Sequence, residues 1–309
     1  MYDNIDFMLY QDQTKGIGLL DEIPQYLTNV SNIGESQYGK YINGHLDNLK
    51  ISITKNRVKI HGSSICKYYL GDNFKTLGKG DTRRAIEKIS DKLHLPMEGA
   101  NITRIDVAQN IISAYDITQY IPYLGESQRY NRLPQNNGLY YQNGKRNLLF
   151  YGKVHEQKIK GKEIPDLYKQ RNVVRYELRF IKRLTNQFNV PEVKAKLLYD
   201  ESFYIKLTER WKDEYFKIQK INNRISSMKP TGSKKDFVNN LALLALLDCG
   251  QPFVLSTIKG WQQGGYISKK QAYDLRSTVK QIGTIKLDEK GNELINELDK
   301  KVRDAAKFL

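Results

Sequence analysis

The hydrophobic pattern of this chain changes its period near residue 185, and this change constrains the fold more than any other feature. Before that point, apolar and polar side chains alternate over short runs, as in strands with one buried face. Beyond it, apolar residues recur at helical spacing. The pattern predicts an α+β protein, with an antiparallel β-sheet domain over residues 1–185 and an all-α region over residues 186–309.

The first part contains several strand-like runs and one helix. Asn143-Gly144 predicts a hairpin turn between two of the runs. Asp81 is the expected N-cap of a helix over residues 82–95, whose stripe is Ile86, Ile89 and Leu93. The strand-like runs cover residues 3–10, 49–61, 101–110, 147–155 and 172–181.

The second part contains helix signals only. Pro191 is expected to open a long helix, and Ser233 and Ser268 are expected to cap shorter ones. Gly250 is the expected stop of the helix that follows Ser233. The short helices from residue 233 onward fit a small helical bundle, which we favour, or a helix-turn-helix-like module.

Composition limits the classes of function. The 309 residues carry 50 Lys and Arg against 34 Asp and Glu, a formal charge of +16, so a polyanion is the first partner to consider. The longest apolar run, residues 241–247, is far shorter than the roughly 20 residues of a membrane-spanning helix, and we expect no membrane partner. Two distant cysteines, Cys66 and Cys249, indicate a reducing compartment and exclude a four-cysteine zinc site.

The positive charge is concentrated in residues 141–185. This segment holds 12 Lys and Arg against 4 acidic residues, interleaved with aromatic side chains. Cations that neutralise phosphates and aromatic faces that stack on bases suit single-stranded nucleic acid. A solvated charged surface whose aromatic residues point into the core explains the same composition, and composition alone does not separate the two interpretations.

Three carboxylates lie within strand-like runs, where a charge is costly unless it is solvated, paired or bound to a metal. They are Asp106, Glu156 and Glu177. If they converge, they could bind one Mg²⁺ or Mn²⁺ through oxygen ligands. The alternative is ion pairing with Arg104, Arg175 and Arg179, and spacing alone favours it.

A tyrosine stands beside a lysine and one of these acids. Tyr151, Lys153 and Glu156 form a Y-x-K-x-x-E spacing, and an extended strand would place Tyr151 and Lys153 on the same face. An ammonium and a metal-polarised phosphate could activate a phenol as a nucleophile toward a phosphodiester. A strand tyrosine is more often a core residue with a satisfied hydroxyl.

The order of three motifs resembles a known family. T-R-I-D-V-A at residues 103–108, L-L-F-Y-G-K-V-H-E-Q at 148–157 and V-V-R-Y-E-L-R-F-I-K-R at 173–183 are similar to the rolling-circle replication initiators of filamentous phages, the gene II/X family. The similarity to staphylococcal-type plasmid initiators is more distant. The resemblance covers roughly residues 3–184 and leaves the helical region outside.

The resemblance implies a site-specific nickase and strand transferase acting in the cytoplasm of a bacterial host. Tyr151 would attack one strand at the origin, leaving a covalent 5′-phosphotyrosine and a 3′-OH primer, and Lys153 would stabilise the phenolate or the phosphate. Asp106, Glu156 and Glu177 would hold Mg²⁺ or Mn²⁺. The residues that we expect to contact DNA are Arg104, Lys145, Arg146, Arg175, Arg179, Lys182 and Arg183.

The expected partners are double-stranded origin DNA and single-stranded DNA, with a host helicase, a polymerase and a second copy of the chain left open. Tyr140, Tyr141 and Tyr176 are rival tyrosines, and we prefer Tyr151 for its lysine and its nearby acid. Two alternatives remain: a sequence-specific DNA-binding initiator or repressor that forms no covalent bond, and an RNA-binding protein.

Overall fold

The computed structural model describes residues 1–14, 16–37, 39–221, 233–284 and 290–307, without the side chains of residues 290–292. Contacts divide the chain into two compact units. The sheet unit is Met1–Gln219 with Leu298–Leu309, and the helical unit is Lys220–Glu297. The contact boundary therefore lies at residue 219 rather than 185, and the assignment of separate functions to residues 1–185 and 186–309 stays a prediction.

Twelve strands are found in the described residues, and all the pairings in the larger sheet are antiparallel. Ten strands form that sheet, in the order β2-β3-β4-β5-β1-β6-β11-β10-β9-β8, and β12 pairs with β7. The strands are β1 (Tyr2–Tyr10), β2 (Gly34–Ser36), β3 (Gly39–Leu46), β4 (Leu49–Thr54), β5 (Arg57–His61), β6 (Asn101–Ser113), β7 (Leu124–Ser127), β8 (Asn131–Gln135), β9 (Gly138–Gln142), β10 (Arg146–Gly152), β11 (Asn172–Phe180) and β12 (Ile218–Lys220).

Helices follow or connect these strands. They are α1 (Leu19–Glu22), α2 (Ile65–Leu70), α3 (Lys79–Leu93), α4 (Ile117–Tyr120), α5 (Lys153–Ile159), α6 (Leu184–Phe188), α7 (Glu201–Phe216), α8 (Lys234–Cys249), α9 (Gln251–Gln263), α10 (Lys269–Ile282) and α11 (Lys290–Lys307). The large antiparallel sheet in the N-terminal part and the helices after it confirm the predicted α+β class.

The ten-stranded sheet consists of two halves with the same strand order. In each half, the strand that comes first in the sequence lies at the centre of the whole sheet. The last strand of that half pairs with it: β5 pairs with β1, and β11 pairs with β6. The remaining strands of each half follow outward in decreasing chain order. The two halves meet where β1 pairs with β6.

The register of this central pairing has two-fold symmetry, because the register shifts on its two sides match. A two-fold rotation about the Ile5–Ile105 pair exchanges the other two pairs given below. Residue n of β1 therefore corresponds to residue n + 100 of β6. Asp6 thus corresponds to Asp106. The three pairs are Ile5–Ile105, Tyr2–Val107 and Phe7–Ile102.

One face of the second half of the sheet is covered by α7. Phe150 stacks on Tyr176 at 4.5 Å between ring centroids, and Trp211 of α7 lies 4.8 Å from Tyr176. This packing explains why α7 belongs to the sheet unit. The opposite face of the same strands carries polar side chains.

Most of the predicted turns and caps are confirmed. The hairpin at Asn143 joins β9 to β10, and Ile86, Ile89 and Leu93 form the buried stripe of α3. Ser233 and Ser268 cap α8 and α10 through their side chains, and Gly250 ends α8 with φ +82°.

Two predicted helix starts are wrong. The N-cap of α3 is Gly78 rather than Asp81, which lies in the first turn and pairs with Arg84. The helix expected from Pro191 begins at Glu201, because the Asp200 side chain accepts the backbone N–H of Phe203 and caps it there.

The helical unit has its own apolar centre, formed by Leu246 of α8, Ile258 of α9, and Ala272 and Val279 of α10. Within the described helices, no single one is long and apolar enough to cross a bilayer. Helices α8 and α9 taken together reach that length and composition, with a bend of 96° between them.

Candidate active site

The register of the second half brings the predicted residues to one face of the sheet. Tyr151 of β10 lies opposite Arg175 of β11, and the alternation of β11 then places Glu177 and Arg179 on the same face. Arg179 lies opposite Asp106 of β6. The tyrosine and two of the three carboxylates therefore share a face.

The Tyr151 hydroxyl is bound to a carboxylate. It donates a hydrogen bond of 2.5 Å to Oε1 of Glu177, and the half-buried ring lines a cleft of about 470 Å³. Burial raises the pKa of Tyr151 well above its usual value, Arg175 opposes this increase and Glu177 adds to it. The resting phenol is therefore protonated, and its oxygen is oriented.

Glu177 is held between two arginines. It is only 1% exposed; Arg175 Nε donates to Oε1 at 2.7 Å, and Arg179 Nη2 donates to Oε2 at 2.6 Å. Burial tends to raise the pKa of Glu177, but the two guanidinium groups and the Tyr151 hydroxyl outweigh it and lower the pKa to about 2. The carboxylate is therefore ionised at neutral pH.

Arg175 connects this pair to the first strand and to a loop. Its Nη2 donates to Asp3 at 2.5 Å, and its Nη1 donates at 3.0 Å both to the Asn73 carbonyl and to Asn110 Oδ1. These partners fix a guanidinium that is 2% exposed. Arg175 is thus a positioning residue for Glu177.

Asp106 has a separate arginine. Arg104 makes a bidentate pair with it, at 2.8 and 2.7 Å, and Asn4 donates to Oδ2 at 3.0 Å. Burial raises the pKa of Asp106 to about 6 despite Arg104 and Arg179. Arg179 also lies 3.7 Å from Asp106, so it links the two buried carboxylates.

The strand expected over residues 147–155 is wrong in its last part. Strand β10 ends at Gly152 and Lys153 opens α5, so Lys153 does not follow Tyr151 on an extended strand. The helix has a buried side of Val154 and Gln157. An i,i+4 pair between Glu156 and a lysine adds to its stability.

Glu156 and Lys153 pair with each other instead of with the tyrosine. Lys153 Nζ, 1% exposed, donates to Glu156 at 3.0 Å and lies 5.6 Å from the Phe74 ring centroid, and burial lowers its pKa. Lys160 also pairs with Glu156. Burial tends to raise the pKa of Glu156, but these lysines and Gln157 lower it to about 2.

The three predicted metal ligands do not fit a shared ion in this arrangement. The oxygens of Glu177 and Asp106 are occupied by guanidinium groups, and those of Glu156 by lysines and an amide. Among the described residues, no group of three or more His, Cys, Asp and Glu side chains is placed to hold a metal. Dependence on Mg²⁺ or Mn²⁺ stays a prediction.

The residues predicted to contact DNA lie in three different settings. Arg104, Arg175 and Arg179 are part of the ion-pair network, whereas Arg146 pairs at 2.8 Å with Glu214 of α7. The remaining three are exposed at the far end of the β10–β11 pair, about 17 Å along β10 from Tyr151 at strand rise. They are Lys145, Lys182 and Arg183.

The rival tyrosines differ in their surroundings. Tyr141 donates to the Gly125 carbonyl and Tyr176 to the Trp211 carbonyl, both within the core. Tyr140 lines the same cleft as Tyr151. The cleft thus has two tyrosines, and only Tyr151 donates to Glu177.

Sequence reasoning missed several residues of this site. They are Asn4, Asn110 and Asn73, which complete the arginine and carboxylate network. His155 also lines the cleft, bonded to Asn137 at 2.7 Å. Alternation along the first strand run and along residues 101–110 marks Asn4 and Asn110 as open-face residues. Asn73 participates through its backbone carbonyl, for which side-chain patterns give no signal.

Comparison with known proteins identifies a family for this chain. A family model for the N-terminal part of a phage replication-associated protein, the gene II protein, matches residues 29–214. The match spans more than half of the chain and includes the whole tyrosine–carboxylate network except its contacts to β1. No curated protein matches the chain. The match confirms the resemblance seen in the three motifs, and the chain belongs to the family of filamentous-phage gene II-type replication initiators.

Proposed function

We propose that this initiator starts rolling-circle replication by nicking one strand at the origin through Tyr151, in the cytoplasm of its bacterial host. The observation that carries the proposal is a tyrosine hydroxyl at a cleft, oriented by a buried carboxylate that two arginines keep ionised. Family membership supports the replication role. The transesterification is our inference from the side chains.

The reaction needs no external energy source. The Tyr151 oxygen bonds to the scissile phosphorus, the bond from phosphorus to the 3′ oxygen breaks, and the phenolic proton passes through Glu177 to the leaving oxygen. The products are a 5′-phosphotyrosine and a 3′-hydroxyl, and the reverse reaction closes the nick. Because the pKa of Glu177 is about 2, proton transfer accompanies bond formation rather than preceding it.

The cleft wall supplies positive charge for the phosphate. Arg179 and Lys160 both line it, so either can compensate charge that develops on the phosphoryl oxygens. Lys153 acts through Glu156, which it holds at the cleft, and is thus a positioning residue. The Tyr151 ring is recessed, so the substrate strand must be unpaired to reach the hydroxyl.

The first test compares two tyrosines of one cleft. Tyr151→Phe should abolish the covalent 5′ adduct on supercoiled origin DNA, at least about 10³-fold, because the nucleophile is removed. Tyr140→Phe, the matched control, should keep adduct formation within about three-fold. The readout is protein-linked, end-labelled DNA on denaturing gels.

Covalent adduct from Tyr151→Phe would refute the assignment, and absence of adduct from the unmodified protein would favour the non-covalent DNA-binding alternative. The same assay with EDTA in place of Mg²⁺ decides metal dependence. Host helicase, polymerase and self-association remain predictions.

A further inference from the structure

A second cleft lies on the other side of Arg175 from Tyr151. Its volume is about 760 Å³, and its walls come from β4, the α2–α3 connection and the loop after α5. Four lysines line it against two acidic residues. These are Lys50, Lys67, Lys75 and Lys162 against Asp72 and Glu163.

Most of this positive charge is not neutralised. Within the described ranges no carboxylate oxygen lies within 4.0 Å of Lys50, Lys67 or Lys162, whereas Lys75 pairs with Asp72 at 3.7 Å. All four lysines are exposed. A concave surface with unpaired cations attracts an anion, and we call it the lysine cleft.

The lysine cleft is connected to the Tyr151 site by one layer of groups. The residue Asn73 lines the cleft, and its carbonyl accepts from Arg175, which also binds the Glu177 carboxylate that holds Tyr151. Phe74 lines the same cleft. Helix α5 and the loop after it border both clefts at the surface, with Lys160 on the Tyr151 cleft and Gln157 and Lys162 on the lysine cleft.

The two-fold relation of the sheet gives independent support. Met8 of β1 corresponds to Ala108 of β6 in this relation. Lys59, which pairs with Met8, therefore corresponds to Glu177, which pairs with Ala108. Arg57 corresponds to Arg175 in the same way. Thr54, opposite Arg57, occupies the position of Tyr151. The first half therefore has a threonine at the position of the tyrosine and a lysine at the position of its carboxylate partner.

Lys59 and Lys50 extend this charge from the lysine cleft onto the open face of the first half. Burial is the largest cause of the lowered pKa of His61, and the Lys59 and Lys50 ammonium groups lower this pKa further. The two lysines therefore lie near His61. Neither Lys59 nor Arg57 has a carboxylate within 4.0 Å among the residues that the structure describes. Asp6 also acts on His61, so the lysines of this face stand beside one carboxylate.

We propose that the lysine cleft binds the phosphodiester backbone of single-stranded DNA, as the flank of the strand whose scissile phosphate lies at Tyr151. The inference rests on the proposed function for the position of the scissile phosphate. Positive side chains line both clefts, which share α5 and the loop after it as a border, and this suits a polyanion; the recessed hydroxyl requires the strand to be unpaired.

The test uses the full chain carrying Tyr151→Phe, so that binding is measured without chemistry. The probe is a labelled single-stranded oligonucleotide of mixed sequence, followed by fluorescence anisotropy at several salt concentrations. The triple substitution K50A/K67A/K162A should weaken binding about 10-fold or more and lower the slope of log K against log salt by about 2, since each single-strand phosphate contact contributes about 0.7.

A second triple substitution, K55A/K196A/K300A, removes the same charge from exposed lysines that line neither cleft. It should change affinity less than about three-fold, as expected for a general field effect. Equal losses in the two triples would overturn the proposal. A larger loss for a hairpin duplex than for the single strand would overturn it as well.

The covalent assay separates the two proposals. If the unmodified protein forms no adduct but the cleft triple still loses single-strand affinity, the proposed nicking function is wrong and the lysine cleft remains a single-strand site. If adduct forms and both triples bind single strands equally well, nicking stands and the lysine cleft inference is wrong.

Discussion

At the scale of single residues, the reactive face combines one tyrosine with two buried carboxylates. Tyr151, Glu177 and Asp106 share a face because strand side chains alternate. Both ion pairing and metal binding were consistent with the sequence, and the structure gives each carboxylate its own cations. The choice depends on the register between strands, which local sequence does not encode.

Glu177 gives a prediction about acid stability. Its folded pKa of about 2 lies below its ordinary value of 4.5, so the stability it contributes is present above pH 4.5 and is lost as pH falls toward 2. Between pH 5 and pH 3 the unmodified protein should lose about 2 kcal/mol more unfolding free energy than Glu177→Gln. Urea unfolding at each pH measures this difference.

The control is Glu35→Gln, at an exposed residue of β2. Its unfolding free energy should follow that of the unmodified protein across the same pH range. If the Glu177→Gln and unmodified curves run parallel, the ion-pair network does not depress the pKa of Glu177 as described. At neutral pH, Glu177→Gln should itself be less stable by about 3 kcal/mol or more, because two buried guanidinium groups lose their anion.

At the scale of elements, the largest departures from the sequence pattern are the late start of α7 at Glu201 and the change from strand to helix after β10. The run of residues 147–155 alternates, yet β10 ends at Gly152 and α5 begins at Lys153. The same few residues fit both periods, and burial of Val154 in a cluster with Phe74 decides the outcome. This tertiary contact separates Lys153 from Tyr151 and gives it Glu156 as a partner.

The pairing of β9 with β10 positions Tyr151, and Gly138 is the sensitive point. A Cβ on Gly138 would stand 2.6 Å from the Phe150 carbonyl oxygen and 3.3 Å from Tyr151 Cβ, so β10 must shift. Gly138→Ala should cost about 1–3 kcal/mol of unfolding free energy and lower the rate of adduct formation about 10-fold or more, because the hydroxyl is displaced.

Gly144 is the matched control, since it lies in the turn of the same β9–β10 hairpin and a Cβ there meets nothing within 4 Å. Gly144→Ala should leave both the adduct rate and the unfolding free energy nearly unchanged. Equal effects of the two substitutions would show that close packing at Gly138 does not position Tyr151.

At the scale of the whole molecule, the end of the chain belongs to the sheet unit. Leu298 is 1% exposed, and Asp299 accepts a hydrogen bond of 2.7 Å from Tyr215 of α7. Leu298→Ala should therefore destabilise the sheet unit by about 2–5 kcal/mol, the cost of a buried leucine. Urea unfolding followed by tryptophan fluorescence reports this change, because Trp211 is buried in that unit.

Lys300→Ala, at an exposed position two residues away, should remain within about 0.5 kcal/mol of the unmodified protein. An unchanged stability of Leu298→Ala would mean that the terminal helix does not support the sheet. A variant that lacks only the helical unit must therefore be an internal deletion of residues 220–297 that keeps the residues from 298 onward.

The two-fold order of the sheet is likewise a property of the whole molecule. Some corresponding positions carry the same residue, such as Asp6 and Asp106, but others differ, such as Thr54 and Tyr151 or Lys59 and Glu177, so the sequence shows no evident repeat. Backbone register preserves the relation because pairing depends on main-chain groups that all residues share.

The sequence was sufficient for the α+β class, for the alternation that gives strands two different faces, and for the family. These follow from local periodicity and from motif order, which survive without knowledge of distant contacts. The tertiary structure alone decided which cation each acid binds, that Lys153 opens a helix, and that lysines from three separate segments line one cleft. Such outcomes depend on residues that are far apart in the chain and meet only after strands have paired.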